Sequence, residues 1–399
     1  MSLATVILKP GEADRIVAGH PWIYSNSVLR LTAPANDGDA VQVKDHRQRL
    51  IGTGLYNSRS KIIVRMLDHD RVELNTAFFR SRIEAALKHR QRWYPGASSY
   101  RLVNAESDFL SGLIVDKYED VLVLQTSSLG MDKRKHVIVD VLQELMSPTA
   151  ILERNDMPSR KFEGLAPVTG VLAGEAPASV DVRLNSLVFK ADLTEGHKTG
   201  LYLDQQANYQ AVAGFAKGVD VLDCFSFLGG FALHAAKAEA RRVLALDQSE
   251  DAVAAARKNA EANGVADKVA FETINVFDWL KSQTTHGPGE RLVPRYGLIV
   301  LDPPSFTRNR ASVGDALRGY KEIHLRALKL LKPGGILATF CCSHHVDARL
   351  FEEVVLAASA DAHKTLKRVA QYGQAPDHPV IPSIPETEYL KGYAYELVR

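Results

Sequence analysis

Hydrophobic and polar residues follow two different periods along this chain. Over residues 1–70, the runs ATVILKP, AVQVKD, LIGTGLYN and KIIVRML are separated by Gly, Asp, Asn and Ser. Short β-rich runs between turn formers predict strands. A helical piece, GEADRIVAGHPW, sits between the first two. Residues 74–92 place Phe78, Phe79, Ile83, Ala86 and Leu87 at helical spacing, which predicts a connecting helix. An α+β stretch follows. GLIVDKYEDVLVLQTSS predicts a hairpin turning at Tyr118–Asp120, KRKHVIVDVLQELM an amphipathic helix, and AILERND and SLVFKADL two strands.

From about residue 215 the pattern alternates between strands and helices. GVDVLDCFS, RRVLALDQ, VAFETINVFDWL, YGLIVLDPP and GGILATFCCS predict strands. GGFALHAAKA, SEDAVAAARKNAEANG and YKEIHLRALKLLKPGG predict helices, the second with Ser249 as N-cap and Gly264 past its end. Such alternation implies a doubly wound, mostly parallel sheet. TLKRVAQY and YLKGYAYELV then predict a terminal antiparallel pair. The fold class is therefore α/β and multidomain: a small, mostly-β domain over 1–72, a central α+β domain over 73–190, and a Rossmann-type domain over 191–399.

Composition adds exclusions. The 399 residues are 46% hydrophobic and 24% charged, ordinary for a globular protein. No run of about 18 uncharged apolar residues suggests a membrane span. The first residues, MSLATVILKPGEADR, lack the basic head and apolar run of a secretory signal. Three cysteines, Cys224, Cys341 and Cys342, cannot build a disulfide framework, and no spacing suggests a metal. A cytoplasmic location fits. The net charge of +2 hides an asymmetry: residues 1–101 carry 16 basic and 9 acidic side chains, and the remainder is acidic. Basic residues concentrate in Lys44–Arg65 and in Arg80–Arg101, the latter interleaved with Trp93, Tyr94 and Tyr100. Basic surface with stackable rings suits a polyanion, although a solvated helix face would read the same way.

Ligands of open parallel sheets bind at the carboxyl ends of the strands. The first such end reads Asp223-Cys224-Phe225-Ser226-Phe227-Leu228-Gly229-Gly230. It is neither a GxGxxG fingerprint nor a P-loop. The second end carries Asp247 and Gln248, with an acid placed for ribose hydroxyls. The third carries Asn275, Val276, Phe277 and Asp278, suited to an adenine edge and face. Together they suggest adenosine without a pyrophosphate, a set that resembles the Rossmann-type S-adenosylmethionine-dependent methyltransferases.

The fourth end, Asp302-Pro303-Pro304-Ser305-Phe306, holds an acid on a stiff loop. The fifth ends in Cys341-Cys342-Ser343. A thiolate there suggests covalent catalysis on a carbon that is not itself nucleophilic, such as C5 of a pyrimidine. Asp302 near N3/N4 would stabilise the developing ring charge. The base would have to leave its stack first.

Taken end to end, the chain resembles the large-subunit ribosomal RNA cytosine-C5 methyltransferase I family. LKPGEADRIVAGHPWIYSNSV is similar to that family's PUA-domain opening, and YRLVNAESDFLSGLIVDKYEDVLVLQ to its central domain. EGHKTGLYLDQQANY, LDCFSFLGGFALHAA, LDPPSF, RGYKEIH and FCCS resemble its catalytic-domain motifs, and DHPV and YLKGY its closing segment. The resemblance implies S-adenosyl-L-methionine as cofactor, 23S ribosomal RNA as partner and a plausible homodimer. It assigns the nucleophile to Cys342. It places Thr199, Asp204 and Gln205 at the methionine end of the donor, with Asp223, Phe225, Ser226, Gly229, Gly230, Asp247, Gln248, Asn275, Val276, Phe277, Asp302 and Pro303 completing its pocket. Pro304, Ser305, Arg318, Tyr320 and Lys321 are candidates for the target nucleotide, although the last three could equally cap a surface helix. Many RNA cytosine-C5 methyltransferases carry a second cysteine after Pro-Pro. Here Ser305 stands there, which leaves Asp302 or an ordered water to remove the C5 proton. Three other readings stay open: methylation of a purine nitrogen, a non-enzymatic RNA-binding factor, and a small-molecule methyltransferase.

RNA binding is expected to weaken steeply with salt and to depend mainly on residues 1–101, while donor binding stays comparatively indifferent. Filter binding of RNA and calorimetry of the donor across a salt series check this.

Overall fold

The computed structural model describes residues 3–193, 200–285, 292–307 and 310–399. It divides into two compact units. One comprises residues 1–183, 191–203 and 376–387; the other comprises 184–190, 204–375 and 388–399.

The first unit opens with β1 (Thr5–Leu8), α1 (Asp14–Val17), β2 (Trp22–Tyr24), β3 (Val28–Leu31), β4 (Ala40–Lys44), β5 (Leu50–Tyr56) and β6 (Ile62–Asp68). They form a six-stranded sheet ordered β2-β6-β5-β4-β1-β3. Alternate apolar residues such as Val6, Leu8, Val41, Val43, Val64 and Met66 fill its core. The predicted helical piece is real only over the four residues of α1, because Pro21 and the following Trp-Ile-Tyr run turn the chain into β2.

Next come α2 (Thr76–Trp93), β7 (Ser99–Asn104), β8 (Leu113–Tyr118), β9 (Val121–Thr126), α3 (Leu129–Asp132), α4 (Lys135–Met146), β10 (Ala150–Asn155) and β11 (Val168–Gly174). The sheet order is β11-β10-β9-β8-β7. Helix α2 is capped by the Asn75 side chain. It buries Phe79, Ile83 and Ala86 against Ile138 and Leu142 of α4 and the sheet residues Leu102, Val115 and Leu124. Strands β7 and β11 lie outside the runs read from the sequence.

Part of the basic excess in this region is drawn inward or neutralised by acids. Arg65 bridges Glu106 and Glu163, and Arg82 bonds Asp68. Arg80 pairs with Glu144, and Arg101 with the fully buried Asp116. Tyr100 is buried, leaving Trp93 as the exposed ring, with Arg92 beside it at 5.1 Å. The surface available to a polyanion is therefore smaller than the count of cations implies.

Arg90 is the anchor of this unit. Its guanidinium is 1% exposed. It donates to Asp108 Oδ1 at 2.5 Å and Oδ2 at 2.8 Å, to the Arg101 carbonyl at 2.8 Å and to the Asp377 carbonyl at 2.7 Å. Asp377 in turn accepts the Arg101 amide at 2.8 Å and meets His378 Nδ1 at 2.9 Å. This network binds residues 376–387, late in sequence, into the first unit.

A hairpin, β12 (Val180–Leu184) and β13 (Leu187–Ala191), carries the chain onward. The second unit contains α5 (Gln206–Ala213), β14 (Asp220–Cys224), α6 (Gly230–Lys237), β15 (Arg242–Asp247), α7 (Glu250–Ala262), β16 (Val269–Thr273), α8 (Val276–Thr284), β17 (Tyr296–Leu301), α9 (Val313–Leu330), β18 (Leu331–Cys341), α10 (Ala348–Asp361), β19 (Leu366–Tyr372) and β20 (Lys391–Leu397). The seven-stranded sheet runs β16-β15-β14-β17-β18-β20-β19. The first five strands are mutually parallel. The last two are antiparallel, as the sequence predicted. Ser249 caps α7 through the Ala252 amide. One predicted strand is corrected: VAFETINVFDWL breaks after Thr273. Asn275 accepts the Phe277 and Asp278 amides and starts α8, so its last apolar residues are helical. No helix among the described residues is long and apolar enough to cross a membrane.

Helix α9 buries His324 completely. Its Nδ1–H donates to the Tyr320 carbonyl at 2.6 Å, and its Nε2 accepts the Thr339 hydroxyl of β18 at 2.8 Å. Burial pushes the imidazole down to about 4, and the bond to Tyr320 only partly opposes that.

Two outcomes follow from these buried polar groups. Arg90→Gln strips Asp108 of its partner and should cost about 3–5 kcal/mol in urea unfolding. His324 is neutral when folded and binds a proton below about 6.5 when unfolded, so its contribution to stability is lost as pH falls from 6.5 toward 4. The stability advantage of wild type over His324→Gln should shrink by up to about 1.4 kcal/mol per pH unit across that window. Denaturation of both proteins at several pH values measures it.

Candidate active site

The carboxyl edge of the second unit's sheet gathers the sequence motifs. Strand β14 pairs with β15 on one side and β17 on the other. Cys224 is level with Leu246 and Leu301, so the residues just beyond them, Asp247 and Asp302, emerge beside the β14 loop. Its backbone is unusual: Phe225 and Phe227 have φ of 66° and 48°, and Gly229 has φ of 86°. These left-handed residues fold the loop tightly over the strand ends. Gly229 serves that backbone. Gly230 serves packing instead, because a Cβ there would lie 2.5 Å from the Tyr209 ring. The space beside Gly230 is therefore taken by Tyr209.

The loop is held from both sides. Asp247 accepts the Phe227 amide at 2.9 Å through one oxygen and the Ser249 amide at 2.9 Å through the other. Asp223 is fully buried and caps α6 by accepting the Ala232 amide at 2.9 Å. Burial pushes its carboxyl up to about 8, with the negative charges of Asp302 and Asp247 adding to the effect. Three carboxyls thus sit close enough to feel one another, an arrangement complementary to a cation.

Asp204 and Gln205 join this group. Gln205 Nε2 donates to Asp302 Oδ2 at 3.0 Å, and its Oε1 accepts from Asn208 at 2.6 Å. Asn208 is tied to the Gly373 carbonyl at 2.9 Å. Asp204 Oδ2 accepts the Tyr389 hydroxyl at 2.6 Å. Sequence reasoning did not give Asn208 or Tyr389 a role; both lie within segments quoted for the resemblance. Thr199 lies outside the described residues.

Phe225, Phe277 and Phe306 form an aromatic cluster, with centroids 5.5–6.3 Å apart. Val276 is buried beneath it in the unit's core, and Pro303 is buried too. Asn275 spends its side-chain oxygen on capping α8, and its amide nitrogen reaches exposed Gln248 at 3.5 Å. Pro304 and Ser305 are exposed, and Ser305 donates to the Thr307 carbonyl at 2.9 Å.

The candidate nucleotide contacts scatter. Tyr320 is fully buried behind β18, 4.7 Å from Phe306. It cannot touch a substrate from there. Its side chain joins the apolar face of α9, whose helical period alone did not fix which residues faced inward. Arg318 is exposed and paired with Asp315, and Lys321 bonds Asp361 at 2.7 Å. These are the helix-surface roles allowed for above.

The two adjacent cysteines differ sharply. Successive strand residues face opposite sides. Cys341 is fully buried, and its thiol donates to the Tyr320 hydroxyl at 3.4 Å. Cys342 is half-buried just past the end of β18. Leu301 pairs with Thr339, so Asp302 and Cys342 leave neighbouring parallel strands at one edge. Cys224 lies in the core, its thiol pushed up by burial, and is inert.

Buried polar atoms in native proteins almost always have partners. Asp204 Oδ1, Asp223 Oδ1 and Ser226 Oγ are buried without one. All three belong to the segments that frame the carboxyl edge. Together with the acidic set and the aromatic cluster, they fit a cationic, adenosine-bearing ligand: acids for its charge and hydroxyls, rings for its base.

Known proteins show the family and the fold. A PUA-like domain model matches residues 6–69, and an S-adenosylmethionine-dependent methyltransferase model matches residues 164–390. Ribosomal RNA large subunit methyltransferase I of Alteromonas mediterranea is 39% identical over 398 residues, 99% of each chain. Its namesake from Shewanella denitrificans is 40% identical over 391 residues, 96% of this chain and 97% of its own. Among solved structures, a protein provisionally described as a SAM-dependent methyltransferase from Streptococcus mutans superposes with a TM-score of 0.83 at 20% identity, covering 99% of this chain and 100% of its own. A second, solved as a complex with SAH, gives 0.84 at 20% identity with the same coverage; at that identity the likeness speaks to fold. With acids and rings converging at the sheet edge and similarity running the length of the chain, it belongs to the S-adenosylmethionine-dependent methyltransferases, in the family of ribosomal RNA large subunit methyltransferase I.

Proposed function

We propose that this enzyme methylates C5 of a cytosine in 23S, large-subunit ribosomal RNA in the cytoplasm, through a covalent adduct with Cys342. The observation that carries the reading is the contrast between the cysteines: Cys341 is sealed in the core, whereas Cys342 stands half-buried at the strand edge beside the acid-lined pocket. The RNA substrate rests on the relatives' names and on the PUA-like domain at residues 6–69.

C5 of cytosine is a weak nucleophile. The Cys342 thiolate adds to C6, forming an S–C6 bond and moving the C5=C6 electron pair toward C5 and N3. Asp302, held by Gln205, acts here in its acid form: it passes a proton to N3, which neutralises the negative charge developing on the ring and is given back when C5=C6 re-forms. When bound, S-adenosylmethionine supplies an electrophilic methyl group at C5. Because Asp302 takes back the N3 proton, an ordered water takes the C5 proton; the C–H pair re-forms C5=C6 and expels Cys342 as thiolate. The donor would be held by Asp204 and Gln205, by Asp223, Phe225, Ser226 and Gly229 of the β14 loop, by Asp247, and by Asn275 and Phe277. Methylation of a base nitrogen is less well supported. Phe306, the ring nearest Pro-Pro, packs against Tyr320 instead of standing ready to stack a base.

Cys342→Ala should lower 5-methylcytosine formation about a thousandfold or more, with donor affinity by calorimetry unchanged. RNA carrying 5-fluorocytosine, whose C5–F bond blocks the final elimination, should trap wild type as a gel-stable adduct and leave the variant untrapped. Full activity in Cys342→Ala, or methyl found on a base nitrogen, would refute the covalent route.

A further inference from the structure

The scheme above leaves one buried cation at the reacting edge without a task. Lys391 begins β20 and pairs in register with Cys341 of β18. It is 8% exposed, and its Nζ donates to the Ser343 carbonyl at 2.6 Å. Ser343 follows Cys342 directly, so the ammonium is anchored one residue from the proposed nucleophile. Lysine is rarely buried unless it is paired. A strand position flanked by Leu390, Gly392 and Tyr393 would take an apolar residue at less cost.

Electrostatics favour a purpose. Burial pulls the Lys391 ammonium below its ordinary range, while the thiols of Cys341 and Cys342, with Glu388 and Asp347, pull it back. Such coupling is reciprocal: a thiolate that stabilises the ammonium is stabilised by it. Other titratable groups sit around the same edge. Tyr320 of α9 also interacts with Cys342, and burial raises its hydroxyl so far that it stays neutral. His324 on the same helix is held neutral by burial. His344 follows β18 and meets the Tyr389 ring at 5.6 Å. Asp347 is committed to capping α10. Asp302, Asp347 and Glu388 are acids and oppose ionisation of a nearby thiol. Among the described residues, Lys391 is a buried cation set against them.

We propose that Lys391 is a positioning residue for Cys342: its ammonium, anchored on the Ser343 carbonyl, fixes the end of β18 and favours the thiolate over the thiol. The inference rests on Cys342 being the nucleophile. Cys342 loses its proton to solvent, and Lys391 keeps all three of its own throughout. Lys391 is in register with Cys341 and interacts with it more strongly, but Cys341 is sealed against Tyr320, so the partly exposed Cys342 is the thiol placed to react.

The test is the pH dependence of Cys342 alkylation by iodoacetamide in the full chain, read by mass spectrometry of its peptide. Wild type should show a midpoint clearly below the ordinary thiol value of about 8.5. Lys391→Met should raise it by about one unit or more, and Lys391→Arg should restore it to within about half a unit of wild type. A merely structural lysine would change thermal stability without moving this midpoint. A wild-type midpoint at or above 8.5 overturns the inference without recourse to any variant, and so does a Lys391→Met midpoint equal to wild type. Activity of Cys342→Ala separates the two ideas. If that variant still makes 5-methylcytosine, the nucleophile itself is misassigned. If it is dead while Lys391→Met titrates like wild type, only the role of Lys391 falls.

Discussion

Everything at the carboxyl edge of the second unit's sheet depends on β14 pairing in parallel with a strand on each side. From β14 the chain moves outward to β15 and β16, then returns to lay β17 on the other side. Neighbouring crossovers diverge at that reversal and leave a crevice at the carboxyl ends. Asp223, Asp247 and Asp302 belong to the ends of these three strands, so the parallel register alone brings three acids within electrostatic reach of one another. The cost is visible in Asp223, whose carboxyl burial and like charge push up to about 8. A sulfonium brings the positive charge that such a set lacks. The set of acids is thus strained when considered as protein alone and would be relieved by a cation placed among them.

The methyltransferase sheet was largely legible in the sequence because its strands are apolar runs bounded by turn residues and separated by capped helices. Ser249 ahead of Glu250 and Asp251 marked α7 from sequence alone, and the structure bears out that cap. The terminal antiparallel pair was equally readable. Failures came where pattern and tertiary context disagree. Val-Phe-Asp-Trp-Leu after Asn275 is apolar enough for a strand, yet the Asn275 side chain satisfies two amides and starts a helix. Strand β11 escaped notice because most of its residues are exposed and carry little alternation. Of the candidate site, the strand-end acids and the cysteine pair could be placed by position, whereas the choice of Cys342 over Cys341 came only from the family resemblance. Tyr320 could not be placed, because helical spacing does not say which face of α9 meets the sheet. Lys391 could have been suspected from a lysine set inside an otherwise apolar strand, but only the β18–β20 register puts it next to the cysteines.

Charge followed a similar course. The basic excess of the first hundred residues suggested a polyanion surface, but several of those cations hold the unit together from within. Arg90, Arg65 and Arg101 each satisfy buried or half-buried carboxylates. Counting cations overestimates a binding surface whenever arginine is used as an internal fastener, a use its fork of donors suits. What remains outward is a sparser set, including Arg92 against the exposed Trp93.

Strand β20 is the latest of the seven in sequence, yet it lies inside the sheet, between β18 and β19. During synthesis the chain emerges in order, so β18 has only β17 to pair with and β19 has no neighbour in the sheet until β20 follows. Until residue 397 is free, the apolar edge of β18, with Leu337 and Phe340, has no neighbour on that side, and the lysine beside the cysteines has not arrived. The site proposed around Cys342 would therefore be assembled last, by the same strand that closes the sheet. A nascent methyltransferase domain built this way stays unfinished until residue 397 has been made. Its dependence on late residues is a matter of folding order as much as of catalysis.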